Sequence, residues 1–199
     1  RKQAQPIQFP DVVKFPAARK RYGARSYVGW QRFSKARPNA AHYAWAELEA
    51  CGPVSALITQ NVDRLHSEAG SRQVIDLHGD LGQVRCIDCS RTYSREQFQL
   101  ALKTANPGWH AEVFRLKPDG DAELAASSHD AFVVPGCEAC TGIVKPDVVM
   151  FGENVPRERV QDAAAAIERA DALLVVGSSL MLFSGYRFAR QAEEQGKPI

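Results

Sequence analysis

Two Cys-x-x-Cys pairs, an imidazole next to a glycine, and a run of amide and carboxylate side chains are the parts of this chain best suited to chemistry. Cys86-Ile87-Asp88-Cys89 and Cys137-Glu138-Ala139-Cys140 are separated by 47 residues, more than a usual ribbon spacing, yet two such knuckles suit one tetrahedral zinc ion. Four thiolates leave no open position for water, so zinc on Cys86, Cys89, Cys137 and Cys140 would hold a fold together rather than make a nucleophile. His110 and His129 are alternative ligands that a complete four-cysteine shell makes unnecessary. His78, within Leu77-His78-Gly79, lies a few residues before the first knuckle, which gives a titratable ring the anchoring a general base needs. Thr59-Gln60-Asn61-Val62-Asp63 follows the short apolar run from Val54 to Ile58, the position where open α/β sheets place ligands. Tyr22 and Arg25, three residues apart, would project from one face of a helix. They read either as an arginine stacked on a tyrosine at the surface or as a small anion-binding pair.

The elements that must position these groups follow from local signals. Pro6, Pro10, Pro16 and Pro38 break the first forty residues into short helical pieces, with a longer one over Arg19 to Trp30. Asn39 suits the cap of a helix whose Ala41, Ala44, Trp45 and Leu48 form a buried stripe, ended by Gly52 and Pro53. His42 on that helix and His66 on a short helix stopped by Gly70 read as structural histidines. Between the knuckles the sequence predicts a helix from about Arg95 to Thr104 and then a long loop, with Trp109, a Pro118-Asp119-Gly120 turn and a Ser127-Ser128 pair. Lys145 to Glu153 reads as an apolar strand stopping at Gly152 and Glu153, and a helix follows with Val160, Ala163, Ala164 and Ile167 on its apolar face. Ala172 to Val176 form a second strand, running into Gly177, Ser178 and Ser179, whose small side chains would let main-chain amides approach a phosphate or ribose. Gly185 to Gln195 complete the pattern as a helix, with Gly196 and Pro198 as stops. Strand, helix, zinc insertion, strand, helix, strand, helix is the order of a parallel sheet interrupted by a metal module.

Composition narrows the classes of function. The 199 residues suit one domain, or one with a small satellite, and a net charge of +2 from 25 basic and 23 acidic residues gives no electrostatic case for nucleic acid. Five cysteines, four of them paired in knuckles and Cys51 left over, fit a reducing compartment better than a disulfide framework. No apolar run reaches the length of a membrane span and no signal-peptide pattern opens the chain, so the expectation is a soluble intracellular protein without a membrane partner.

Taken together, Thr59 to Asp63, Leu77-His78-Gly79, the four cysteines, Lys145-Pro146-Asp147-Val148-Val149-Met150-Phe151-Gly152-Glu153 and Val175 to Ser179 resemble a sirtuin, in the order and spacing of that family. Arg21 to Trp30 and the long zinc-module insertion look closest to the class II branch that includes the fourth mammalian sirtuin. The resemblance implies an NAD-dependent protein lysine deacylase acting on acylated lysine in proteins or peptides, located in the cytoplasm of a bacterium or else the mitochondrial matrix. Its fold would be α/β, a Rossmann-like parallel sheet with a small domain made of a helical module and a zinc module. The division would be residues 1–38 for the helical module, 39–83 and 146–199 for the Rossmann-like domain, and 84–145 for the zinc module. His78 matches the base that takes a proton from the nicotinamide ribose. Gln60, Asn61, Val62 and Asp63 match the segment that positions ribose, water and carboxamide, and Gly177, Ser178 and Ser179 match a cofactor-binding strand end. Phe151, Gly152 and Glu153 match the loop that pairs with an extended substrate peptide. Tyr22 and Arg25 match a Tyr-x-x-Arg pair that meets acidic acyl groups in some relatives, implying a preference for such groups over acetyl. Sirtuins also carry a Gly-Ala-Gly-x-Ser loop before this region and further strands after it, so the expectation is an internal fragment that binds NAD weakly and turns over little, whereas the complete parent is active. Two rival readings use the same residues: a protein mono-ADP-ribosyltransferase, and a non-catalytic, zinc-stabilised module that binds acylated peptides.

Overall fold

The structure is a computed structural model and describes residues 6–116, 121–125 and 127–199; the expected Pro118-Asp119-Gly120 turn lies outside the described residues. Helices α1 (Phe9–Lys14), α2 (Pro16–Phe33) and α3 (Ala40–Ala50) come first, then strand β1 (Leu57–Thr59), helix α4 (Leu65–Glu68) and strand β2 (Val74–Asp76). Strands β3 (Gly79–Cys86) and β4 (Thr92–Ser94), helix α5 (Arg95–Ala105), strands β5 (Val113–Leu116) and β6 (Ala122–Leu124) and helix α6 (Ser127–Asp130) follow. Strand β7 (Val144–Val148) and helices α7 (Arg157–Arg169) and α8 (Phe183–Glu194) complete the described elements. They form two compact units, residues 1–36 with 80–153 and residues 37–79 with 154–199.

In the first unit the prolines do less breaking than the sequence suggests. Pro16 sits in the first turn of α2, where its missing N–H costs nothing, and the helix runs 18 residues from it. Ala24 of α2 is packed into a core with Val84, Phe98, Leu102, Phe132 and Val144. Tyr27, Trp109 and Phe132 add mutual edge or tilted ring contacts, Trp109 to Phe132 at 4.6 Å between centroids. Gly23 is required by this packing, because a Cβ there would lie 2.5 Å from Val134 Cγ2. Helix α5 forms as expected, with Ser94 and Gln97 closing a reciprocal capping box. The expected loop after it is instead an antiparallel ladder of β5 with β6, Val113 opposite Leu124 and Leu116 opposite Ala122. Short irregular strands with few alternating apolar residues give too weak a period-two signal to read from sequence. Strand β7 does form from the Lys145 segment, but it neighbours β3 in a three-stranded sheet ordered β4-β3-β7, not the parallel sheet.

The second unit carries the parallel pair. Strand β1 lies beside β2 with Leu57 opposite Val74 and Thr59 opposite Asp76. Leu77, Ala163, Ile167, Phe188 and Ala192 form the core behind it, with Ile58, Ile75, Val160 and Ala164 against them. The apolar face expected of α7 is therefore the one that is buried. Asn39 caps α3 as expected, accepting from the Ala41 and His42 amides at 3.0 and 3.4 Å, and His42 returns the bond as part of a capping box. The stripe on that helix is not buried: Ala41 and Ala44 are exposed, and Leu48 is 43% exposed. Residues 172–176 also differ from expectation, adopting no strand among the described residues. Leu173 N–H donates to the Pro198 carbonyl at 2.9 Å, while Leu174 and Val176 stay 71% and 62% exposed. A strand is defined by the ladder it joins, and no described segment supplies one for this run.

Candidate active site and metal centre

The carboxyl ends of β1 and β2 bring one group of predicted residues together. Thr59 closes β1 and turns the chain: its carbonyl accepts from Leu77 N–H at 2.9 Å and its hydroxyl accepts from Asn61 N–H at 3.1 Å. Asp63 accepts from Leu65 N–H at 3.0 Å and starts α4. His78 then follows β2 with Nε2 2.9 Å from Ser184 Oγ. Burial lowers the pKa of this ring below the ordinary histidine value, a hydrogen bond with the Gln60 main chain opposes that, and the positive charge of Arg159 adds to the lowering. The result is an imidazole that stays neutral at physiological pH and can accept a proton.

Gln60 links this histidine to the second predicted segment. Ser178 Oγ donates to Gln60 Oε1 at 3.2 Å and accepts from Leu180 N–H at 3.2 Å. Gly177 has φ +67°, which only glycine adopts easily and which turns the chain out of the 172–176 run. Gln60 Nε2 is buried and has no hydrogen-bond partner, an orphaned donor that ordinarily costs stability. It faces Gly185, where a Cβ would stand 2.8 Å from Nε2. An unsatisfied amide donor, exposed Asn61, Ser178 and Ser179, and a neutral imidazole make a donor and acceptor set that fits the hydroxyls and carboxamide of a dinucleotide such as NAD. Val62 lies within the same turn and is partly buried. Sequence reasoning missed Ser184; nothing in its local sequence marks it, because its partner is 106 residues away.

The four cysteines converge as their spacing requires. All four Sγ atoms lie within 4.8 Å of one another, with Cys86 to Cys140 at 3.5 Å and Cys89 to Cys137 at 3.7 Å. Sulfurs around a zinc ion at about 2.3 Å would stand about 3.8 Å apart, so this cluster fits zinc. Two of the four are buried and two face solvent. The knuckles are tied to each other, Ile87 N–H donating to the Ile143 carbonyl at 2.9 Å and Ile143 N–H to Asp88 Oδ2 at 2.8 Å. The Ala139 N–H bonded to Cys137 Sγ, helped by that of Cys140, pulls this thiol down to about 7 against the effect of burial, which favours the thiolate a metal takes. Neither His110 nor His129 joins the cluster among the described residues.

The remaining predicted residues belong to the first unit. Tyr22 and Arg25 are one turn apart on α2, yet they face different partners. Tyr22 lines a cavity of about 20 Å³, room for one water, with Arg19, Ser26 and Arg95. Burial pushes its phenol up to about 12, in spite of the Arg95 charge. Arg95 is 1% exposed, donates to Ser26 Oγ at 2.9 Å and to the Ser26 carbonyl at 3.0 Å, and leaves Nε without a partner. Arg25 instead pairs with Asp121 through Nε at 2.8 Å and through Nη2. In the Phe151-Gly152-Glu153 loop the Phe151 side chain is exposed, while its carbonyl accepts from Phe9 N–H at 2.8 Å. Glu153 accepts from Met150 N–H at 2.9 Å and pairs with Lys145 at 3.1 Å, so this carboxylate braces the turn. Gly152 has φ +79° there.

A parallel strand pair ending in a neutral histidine, together with a four-cysteine knuckle inserted in the chain, defines a class of zinc-stabilised α/β enzymes. The Sir2 family model matches residues 3–184, and the chain belongs to that family. An NAD-dependent protein deacetylase of Xanthomonas campestris is 56% identical over 198 residues, covering 100% of this chain and 68% of the relative. One from Bordetella bronchiseptica is 57% identical over 198 residues, with 72% of that protein covered. The NAD-dependent protein deacylase Sirt4 of Drosophila melanogaster is 43% identical over 199 residues, with 64% covered. Among solved structures, Sir2Tm bound to a propionylated peptide has a TM-score of 0.73 at 28% identity, covering 96% of this chain and 68% of that one. A Sir2 complex with a p53 peptide and NAD+ has a TM-score of 0.71 at 26% identity, covering 98% and 70%. The α/β fold with a parallel sheet and a cysteine cluster suited to zinc is thus the sirtuin fold. No helix among the described residues is long and apolar enough to cross a membrane.

Proposed function

We propose that the chain carries the catalytic machinery of an NAD-dependent protein lysine deacylase. The observation that carries this reading is His78, held by Ser184 at 2.9 Å beside the orphaned donor of Gln60 at the ends of two parallel strands. Bound NAD would supply an activated ribose able, with one water, to take the acyl group from lysine as nicotinamide leaves. Everything else is done by side chains of this chain. His78 takes a ribose hydroxyl proton at Nε2, which requires Ser184 to turn its hydroxyl aside or pass the proton on. Gln60 Nε2, Asn61 and Asp63 orient hydroxyls and the carboxamide without competing as nucleophiles, and Val62 holds their turn against the sheet. Gly177, Ser178 and Ser179 allow close main-chain approach to the rest of the cofactor.

The role of the first unit is to present the substrate. Phe151, Gly152 and Glu153 pair with the peptide main chain, and the bracing of Glu153 by Lys145 keeps that edge in register. Tyr22 and Arg25 stand at the acyl end. Residues 37–79 and 154–199 serve the cofactor, and zinc on Cys86, Cys89, Cys137 and Cys140 keeps the other unit folded. The test is to incubate the complete protein with NAD and an acetyl-lysine peptide and to follow free lysine and acyl-ADP-ribose by mass spectrometry. Wild type should form both and His78→Tyr neither. Transfer of label from NAD onto a protein target, with no acyl product, would replace this reading by ADP-ribosyl transfer.

A further inference from the structure

The fork of Arg25 is already filled. This guanidinium is 8% exposed, and its Nε donates to Asp121 Oδ1 at 2.8 Å and to the Ala122 carbonyl at 2.9 Å, while Nη2 pairs with Asp121 Oδ2. Both carboxylate oxygens are engaged, the two-point geometry by which arginine would grip the free carboxylate of a succinyl or glutaryl group. Asp121 is itself fixed, since its Oδ1 also accepts from Ala122 N–H at 2.9 Å at the start of β6. Its side chain is 29% exposed, so the pair stands at the rim of the unit rather than in its core.

We propose that Asp121 is a specificity-determining residue that occupies the carboxylate position of the Tyr22 and Arg25 pair, so that the chain selects uncharged acyl groups over acidic ones. The proposal rests on the deacylase reading for its substrate. Residue types alone make Tyr22 and Arg25 a clamp for acidic groups; the internal carboxylate reverses the preference. An incoming carboxylate must either displace Asp121, leaving a second anion unpaired nearby, or lie beside it against like charge. Tyr22, one turn away on α2, keeps a protonated phenol and so adds no charge that would draw an acidic group. A built-in repulsive element of this kind separates substrates more strongly than a missing attraction does.

The experiment compares acetyl-, succinyl- and glutaryl-lysine peptides of one sequence on wild type, Asp121→Asn, Asp121→Ala and Asp121→Ala with Arg25→Met. Asparagine keeps the shape and removes the charge, so it decides the matter if the alanine variant melts early. Wild type should favour acetyl, and Asp121→Asn should raise the succinyl-to-acetyl ratio of kcat/KM by roughly 10- to 100-fold, the scale of one new ion pair and one repulsion removed. The double variant should lose that rise. Fluorescence anisotropy with the same labelled peptides should show the same swing in Kd ratio without any turnover. If wild type consumes no acyl peptide at all, the deacylase reading fails and the anisotropy ratio still decides the role of Asp121. A ratio unmoved by Asp121→Asn in both assays, or a wild type that already prefers succinyl, overturns the proposal.

Discussion

The two units differ in where their polar groups find partners. In the first, charged side chains are matched from within: Arg25 by Asp121, Arg85 by Asp147 at 3.1 Å, Lys145 by Glu153, and the Cys137 thiol by main-chain amides. In the second, the sheet end includes one donor without a partner, Gln60 Nε2, beside a half-buried His78 held by Ser184 and the Gln60 main chain. Buried polar atoms without a hydrogen bond occur in both units, Arg95 Nε and the Tyr93 hydroxyl in the first among them, so what marks the second unit is that its orphaned Gln60 donor stands beside a titratable histidine at the end of a parallel strand pair. Zinc belongs with the first unit and the dinucleotide with the second.

Removing the metal should break the contrast most sharply. Structural zinc contributes about 10–16 kcal/mol in small modules, as much as or more than the whole stability of a typical domain, about 5–15 kcal/mol. Chelation or Cys137→Ser should therefore melt the first unit, seen as lost near-ultraviolet dichroism from Trp109 and Tyr27 together with lost zinc by elemental analysis. Intact tertiary signal after complete zinc removal would show that the aromatic core suffices. On the other side, His78→Ala should cost about 10² to 10⁴ in kcat through loss of the base while changing the melting temperature little, by calorimetry on the same sample. Should melting fall along with the rate, the histidine is a packing residue.

Smaller effects sharpen the same comparison. Phe132→Ala opens a hole among Tyr27 and Trp109 and should cost about 3–5 kcal/mol in urea unfolding with only an indirect effect on kcat. The units should also fail at opposite ends of the pH scale. His78 and His66 have folded pKa values below that of the unfolded chain, so the unfolded state binds more protons near pH 6; their contribution is complete above about 6.5 and lost as pH falls through the folded values. Tyr22 has its pKa raised to about 12, so the unfolded phenol ionises first and its contribution is lost as pH rises from 10 through 12. Melting curves with one probe in each unit should show acid loss in the second and alkaline loss in the first. The smallest change expected is Ser184→Ala, up to about tenfold in kcat with KM preserved, because one neutral hydrogen bond is worth about 0.5–1.5 kcal/mol. An unaltered acidic limb of the rate profile in that variant would mean that Ser184 does not tune the imidazole.

Much of this was legible before any fold was known. The two Cys-x-x-Cys knuckles pointed to the four-cysteine cluster, because each pair can offer two thiolates to one tetrahedral zinc ion. Asn39, Ser94 and the apolar face of α7 announced their helices, since caps and 3.6-residue periodicity are local properties. The order of Thr59 to Asp63 after an apolar run pointed to the end of β1, while the strand expected before Gly177 did not form among the described residues. Other features depend on partners far away along the chain. Whether residues 172–176 become a strand, whether the stripe of α3 is covered, and that β7 lies beside β3 are decided by which surfaces meet. Ser184 on His78 and Asp121 on Arg25 belong to this group, as pairings across 106 and 96 residues leave no periodicity and no cap to read. The residue types thus determined which chemistry was available, while tertiary packing decided which of those groups were already spent on each other and which were left open for a ligand.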